Sequence, residues 1–429
     1  MLKNDPRYAH IRQILREELV PAMGCTEPIA IAYAAAKARA ILGCLPDEAE
    51  VRASGNIIKN VKSVVVPNTD GLKGIEAAAA AGIVAGREEK ILEVISDVTS
   101  EEKAAIAAYM RSHSIRVVPD ERDIIFAITV TLRAGGHTVR LSIEDYHTHI
   151  VLIEHDGEVL LKDGKAAEST QASGLTDRSV LSVETIFDFA TTCDPEDVRE
   201  MIEPQIRCNY SIAQEGMRRD WGANIGKVIR DCYGTDIQHR ARYMAAAGSD
   251  ARMSGCEMPV IIVSGSGNQG ITASVPVIEY AMELKAGEEQ TLRAVLLSDL
   301  LTIHMKTGIG RLSAYCGAVS AGCAAGAGIA YLHGGALREV AHTLVNSLAI
   351  VSGMICDGAK PSCAAKIAAA VDAGILGYNM FRCNQQFRGG DGIVTKGVEN
   401  TIENIGRLGR LGMRETDREI IRIMTGSPS

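Results

Sequence analysis

The stretch from Gly310 to Lys366 constrains this chain most. It reads GRLSAYCGAVSAGCAAGAGIAYLHGGALREVAHTLVNSLAIVSGMICDGAKPSCAAK. Glycine and alanine at this density let helix backbones approach closely, so at least one domain is expected to be tightly packed helices. Cys316, Cys323, Cys356 and Cys363 fall here, with Asp357, Lys360 and Ser362 beside the last pair. Three thiolates can hold three irons of a four-iron, four-sulfur cluster and leave the fourth iron as a Lewis acid.

Spacing alone does not select that reading. Cys316 and Cys356 are 40 positions apart, and Cys356 and Cys363 are 7 apart. No CxxC pair occurs anywhere in the chain, which excludes a zinc ribbon and a ferredoxin-type run. Cysteine is often just a small buried residue, and Cys44, Cys193, Cys208, Cys232, Cys323 and Cys383 are read that way. For Cys316, Cys356 and Cys363, Gly317 and Gly358 would let the backbone approach a bulky cofactor. Cys356 and Cys363 also flank GAKP, a turn able to fold both sulfurs around one object.

The chain has 429 residues, more than one ordinary core accommodates, so two domains are expected. A formal net charge of −8, with no basic run, argues against a nucleic-acid surface. The charged N-terminal segment lacks a signal-peptide core. The most apolar stretch, from Ala314 to Ala336, reads as a buried helix rather than a membrane span. The expected location is the cytoplasm. There an odd count of 11 cysteines points to buried thiols, metal ligands or catalysis rather than disulfides.

In chain order, Asp5 to about Glu18 has helical spacing. AMGCTEP (Ala22 to Pro28) then opens an Ala-rich helix that Gly43 stops. Cys25 lies at or just before that helix N-terminus, where partial positive charge favours thiolate; a buried helix-start cysteine is the plainer reading. From Ala49 the pattern changes. EVRASGNIIKNVKSVVVPNTDG holds β-branched runs, ILEVISDV (Ile91 to Val98) reads as a strand, and Ser100 caps a helix. Ile124 to Leu161 reads as an antiparallel meander with turns at AGGH and HDGE. His137, His147, His149 and His155 lie in or near it and read as solvated polar residues more than as a metal site. Lys162 to Asp177 reads as a polar linker, and helical periodicity runs from Ser182 onward.

The expected fold is therefore α+β. A mainly helical Gly/Ala-rich catalytic domain (182–429) is joined by N-terminal helices (1–48) packing on it. An inserted α+β domain (49–181) carries an antiparallel sheet.

Two further stretches are rich in potential ligand groups. Met258 to Lys285 contains Gly265-x-Gly267-x-x-Gly270, with Glu288 or Glu289 near the acidic position of a dinucleotide fingerprint. Pro276 interrupts the helix that should follow, so an anion cradle of backbone N–H groups for a substrate carboxylate is preferred. An ordinary turn remains the simple alternative. Ser54 to Gly74 offers Asn56, Lys59, Asn60, Asn68 and Lys73 around turns.

Taken together, AMGCTEP, SGNIIKNVKSVVVPNTDGLKG, SGSGNQG, AYCGAVSAG and GMICDGAKPSCAAK resemble the L-cysteine desulfidase family. That family belongs with the iron–sulfur L-serine dehydratase α-chain group. The resemblance runs from about Pro21 past Gly390. It implies a lyase without pyridoxal phosphate that converts L-cysteine and water to pyruvate, ammonia and hydrogen sulfide. It implies a 4Fe–4S cluster on Cys316, Cys356 and Cys363, with Cys25 as the base. Related serine dehydratases carry a C-terminal cysteine able to occupy the fourth iron; TDREIIRIMTGSPS has none, so no such ligand is expected.

On this reading Ser264, Gly265, Asn268 and Gln269, with Asn56 and Lys73, hold the carboxylate of a small amino acid. No nucleic acid or membrane takes part, and a homo-oligomer is compatible with the small-residue helices. L-Serine as substrate, a nicotinamide oxidoreductase using the glycine loop, and a helical scaffold with inert cysteines are the alternatives.

Overall fold

The computed structural model describes residues 1–122, 124–163 and 175–426. Most of the expected polar linker, and the last three residues of the tail, lie outside these. Helix α1 (Pro6–Glu18) starts behind Asp5, whose carboxylate accepts the Arg7 N–H, with Pro6 in its first turn. A short strand β1 (Pro21–Met23) leads into α2 (Thr26–Leu42), which ends at Gly43 in the left-handed conformation. Ile29, Ile31 and Ala34 lie on different faces of α2 and are all buried, so this helix is enclosed rather than amphipathic.

The α+β part contains β2 (Glu48–Ala53), α3 (Gly55–Val61), α4 (Gly74–Ala85), α5 (Ser100–Ser112) and five more strands. These are β3 (Ile115–Pro119), β4 (Ala127–Ala134), β5 (His137–Glu144), β6 (Ile150–His155) and β7 (Glu158–Lys162). The order across the sheet is β3-β2-β4-β5-β6-β7. Every pairing is antiparallel except β2 with β3, which is parallel and makes the sheet mixed. Val51, Val130, Leu132 and Leu141 supply its buried face. Helix α2 packs on α4 and on β4 and β5, whereas α1 packs on α7 (Glu196–Arg218). The N-terminal segment thus divides between the sheet and the helical part.

Three local expectations need correction. ILEVISDV is not a strand: Glu88–Glu93 forms a 3-10 turn, with Ile91 at φ 51°. GNIIKNV is helix α3 because Ile57 and Val61, four apart, share one buried face; that period outweighs the β-branched count. The cap of α5 is Thr99 rather than Ser100. Its hydroxyl accepts the Glu102 N–H while Glu102 accepts the Thr99 N–H, a full capping box.

The helical part begins with α6 (Val183–Thr192) and continues through α7 to α8 (Ile225–Tyr233), α9 (Ile237–Met253), strand β8 (Pro259–Ile261) and α10 (Gly267–Glu283). It closes with α11 (Glu288–Ile309), α12 (Gly317–Leu332), α13 (Leu337–Val351), α14 (Cys363–Arg382), α15 (Val398–Arg407) and α16 (Arg414–Thr425). Helix α12 is the hub, packed by α10, α11, α13 and α14. A Cβ at Gly374 would overlap the Gly322 carbonyl, and one at Gly326 would overlap the Gly374 carbonyl. Small residues therefore set the α12–α14 distance.

Strand β8 pairs antiparallel with β1, Pro21 opposite Ile261 and Met23 opposite Pro259. This two-stranded ribbon joins the segment before Cys25 to the segment before the glycine loop. No helix among the described residues is long and apolar enough to cross a membrane.

Candidate active site

Each of the three cysteines starts from a backbone feature that aims it at one cleft. Cys316 is the N-cap of α12, and Cys363 is the first residue of α14. Cys356 lies in the loop between α13 and α14. That loop is zipped to the one before α12, since Cys316 N–H donates to Met354 O (3.1 Å) and Cys356 N–H to Ala314 O (2.6 Å). Gly358 turns the chain at φ 93°, where a Cβ would strike the Lys59 carbonyl. Cys316, Cys356 and Cys363 all line a cleft of about 750 Å³, counted to its open mouth.

The donor set fits an iron–sulfur cluster better than a single ion. Among the described residues, only His137, His155 and Asp156 bring three ligand atoms within 4.8 Å of one another. The three sulfurs are more widely spaced than one zinc would require, yet they feel each other. Burial first, and the Cys356 sulfur next, push the Cys316 thiol up to about 12. Burial and Cys356 also push Cys363 up. Bound metal would remove that penalty by holding the thiolates.

Positive charge is at hand to offset them. Lys306 is buried on the cleft wall, donates to Gly310 O at 2.6 Å, and is drawn down to about 8 by burial while Cys356 and Cys316 act to raise it. Lys366 ion-pairs with Asp357 next to Cys356.

The opposite wall is the glycine loop. Ser264, Gly265, Ser266, Asn268 and Gln269 line the cleft, at the N-terminus of α10. Ser264 (φ 48°) and Gly265 (φ 80°) take left-handed turns that swing the loop into the helix. Backbone N–H groups and the helix dipole favour an anion there. The antiparallel partner of β8 excludes the βαβ unit that a dinucleotide fold requires.

Arg311, also on the cleft, donates to Glu18 at 3.0 Å and stacks over Tyr146. Arg252 is 2% exposed, makes no ion pair among the described residues, and has no partner for its Nε. Buried acceptors also lack partners: Asn60 Oδ1, Asn268 Oδ1 and Gln269 Oε1. These three unmet acceptors line one cleft, where they suit an ammonium group; Arg252 lies outside that lining.

Cys25 sits behind this wall as the N-cap of α2, 2% exposed. The helix N-terminus does not make it a thiolate. Burial, followed by the Glu27 carboxylate, pushes it well above its ordinary range, with Arg252 opposing. Its Sγ donates to Glu27 Oε2 at 3.0 Å. Glu27 itself lines the cleft, and its Oε1 accepts from Asn60 Nδ2 at 3.1 Å.

The structure does not bring Asn56 and Lys73 to the cleft. Lys73 is exposed at the start of α4, and Asn56 is buried in α3 without lining the cavity. One helical turn beyond Asn56, Asn60 lines it instead. Cys44, Cys232 and Cys383, expected to be buried, are exposed.

Glu27, His147, Lys306 and Arg311 line the cleft and escape the sequence reading. Glu27 appears there only as part of a helix start. His147 appears there as a sheet-surface residue, but it lies in the β5–β6 connection rather than on a strand. It is 5% exposed, its ring packs beside Gly265, and burial draws it down to about 4, so it is neutral at pH 7. His149 pairs with Asp145 and Asp163. His137 bonds Asp156 at 2.7 Å on the exposed rim of the sheet.

The family model described as serine dehydratase alpha chain matches residues 89–422, a span that holds the three cleft cysteines and the glycine loop. A UPF0597 protein of Desulfitobacterium hafniense is 61% identical over 424 residues, covering 99% of this chain and 98% of that one. A UPF0597 protein of Lachnoclostridium phytofermentans is 49% identical over 417 residues, covering 97% and 99%. One of Treponema denticola is 46% identical over 417 residues, covering 96% of each.

Proposed function

The chain belongs to the serine dehydratase alpha-chain family, and on that footing we propose that it is an iron–sulfur lyase that eliminates the β-substituent of L-cysteine, yielding pyruvate, ammonia and hydrogen sulfide. One observation carries the reading: Cys316, Cys356 and Cys363 meet the glycine loop and Glu27 around a single cleft. The three cysteines would hold a 4Fe–4S cluster. When bound, such a cluster supplies a Lewis acid for the departing substituent.

The chain's own residues do the rest. The N-terminus of α10 and Arg311 receive the carboxylate. The amide oxygens of Asn60, Asn268 and Gln269 accept from the ammonium. Cys25 takes the α-proton, and His147, neutral, closes the cleft beside the loop and keeps water from it. The released aminoacrylate then tautomerises and hydrolyses in solution.

L-Serine is the second reading, favoured by the family's own description. An assay with both amino acids, on protein purified without oxygen, separates the two. The expected result is pyruvate and sulfide in equal amounts from L-cysteine, with slower pyruvate formation from L-serine. Faster turnover of L-serine would keep the elimination and change the substrate; no pyruvate from either would reject the lyase.

A further inference from the structure

We propose that Glu27 is the acid–base partner of Cys25: it takes the Cys25 proton before elimination and gives it to the departing sulfide afterwards. This rests on Cys25 being the base for the substrate's α-proton.

A thiol cannot accept a proton, so the base must be a thiolate. Cys25 Sγ lies 3.0 Å from Glu27 Oε2, the contact a thiol makes when its S–H donates to a carboxylate. Burial and the neighbouring carboxylate both oppose loss of that proton to water. The carboxylate at the end of its own hydrogen bond is the nearest destination.

Glu27 is built for this exchange rather than for capping. No side chain caps α2. Glu27 makes no ion pair among the described residues, so no cation holds its charge in place. Asn60 Nδ2 grips Oε1 at 3.1 Å, leaving Oε2 towards Cys25. Thr26 Oγ1, 3.2 Å from Oε2, donates to Gly265 O at 2.9 Å and ties the pair to the glycine loop. The Glu27 backbone N–H points at the Cys25 sulfur and would stay there for the thiolate. Glu27 lines the cleft, so its carboxyl group has a path to the leaving group.

The steps balance. Cys25–SH and Glu27–CO2⁻ become Cys25–S⁻ and Glu27–CO2H, with one negative charge before and after, so no new charge appears in a desolvated site. The substrate Cα–H bond breaks and its proton goes to Cys25. The electron pair forms the Cα=Cβ bond as the Cβ–S bond breaks and hydrosulfide leaves. Glu27–CO2H protonates it to hydrogen sulfide. Cys25–SH and Glu27–CO2⁻ are restored without an external acid or base.

The test compares wild type, Glu27→Gln and Glu27→Asp, each purified anaerobically with its iron. The infrared S–H band of Cys25 is isolated by difference against Cys25→Ser. In wild type at neutral pH the band should lie low, as for a thiol bonded to a carboxylate, and in Glu27→Gln it should move to higher wavenumber. With L-cysteine, Glu27→Gln should lose about 100-fold or more in kcat at unchanged KM and iron content, and Glu27→Asp should recover part of it.

A Cys25 band that is absent in wild type, or unmoved in Glu27→Gln, overturns the proposal. So does wild-type kcat in Glu27→Gln. Wild type inert towards both amino acids fails the underlying reading instead, and the infrared comparison needs no substrate to show that difference.

Discussion

Asp299 shows what a single enclosed carboxylate does to this fold. It sits in α11 with no exposure, and burial pushes it up to about 8, against the Gln205 Nε2 bond of 2.8 Å that lowers it. Its Oδ2 and the Gln205 Oε1 both lack a donor; a protonated Oδ2 donating to Oε1 would satisfy the two together. The folded pKa lies above the unfolded one, so the protonated acid stabilises the native state fully below about pH 4. That stability is lost as pH rises from there through about 8, on the order of 1.4 kcal/mol for each pH unit separating the two values. Asp299→Asn should therefore melt higher than wild type at pH 8 and match it near pH 4, measured by thermal unfolding of anaerobic protein. Parallel melting curves across that range would contradict a carboxyl group held neutral by burial.

Single residues also show how much of the site is legible in the sequence. Cys316 and Cys356 stand out because Gly317 and Gly358 lie close to them, Cys363 because it closes the GAKP turn after Cys356, and the 264–269 loop because its glycines mark turns. Glu27 does not, because its meaning lies in a 3.0 Å contact with a neighbour two positions away. His147 does not, because no periodicity distinguishes a strand from the connection that follows it.

Of the helices that begin at the cleft, α12 and α14 carry two of its three cysteines. Cys316 precedes α12 and Cys363 opens α14, so the distance between these helices sets how far apart two of the three sulfurs stand. Gly322, Gly326 and Gly374 let the two backbones touch. Gly374→Ala should force them apart, costing about 1–3 kcal/mol and leaving the purified protein with less iron than wild type. Wild-type stability and iron content in that variant would mean the glycine contact has no role in the cleft.

Helical periodicity makes α12 and α14 legible, whereas the register between them depends on which glycines face each other and is not. The strand expected at Ile91 to Val98 does not form for a related reason: β-branched composition records a preference, not a partner strand.

Across the whole molecule, the cleft draws on distant parts of the chain. The β1–β8 ribbon brings Cys25 and Glu27 to the glycine loop. The α+β part supplies His147 from the β5–β6 connection and Asn60 from α3. Lys59, on the same helix, ion-pairs with Asp417 of α16. Residues from an early helix, a sheet connection and the late helices thus close around one space, and we propose that the α+β part acts as a wall of the catalytic domain rather than as a separate module.

The decisive measurement is an iron count on protein purified anaerobically, in wild type and in Cys316→Ala, Cys356→Ala and Cys363→Ala. About four irons per wild-type chain are expected, with the broad visible absorption of a cluster, and loss of most iron in each variant. Wild-type protein that stays colourless and iron-free after reconstitution, or variants that keep full iron, would contradict a cluster held by these three cysteines.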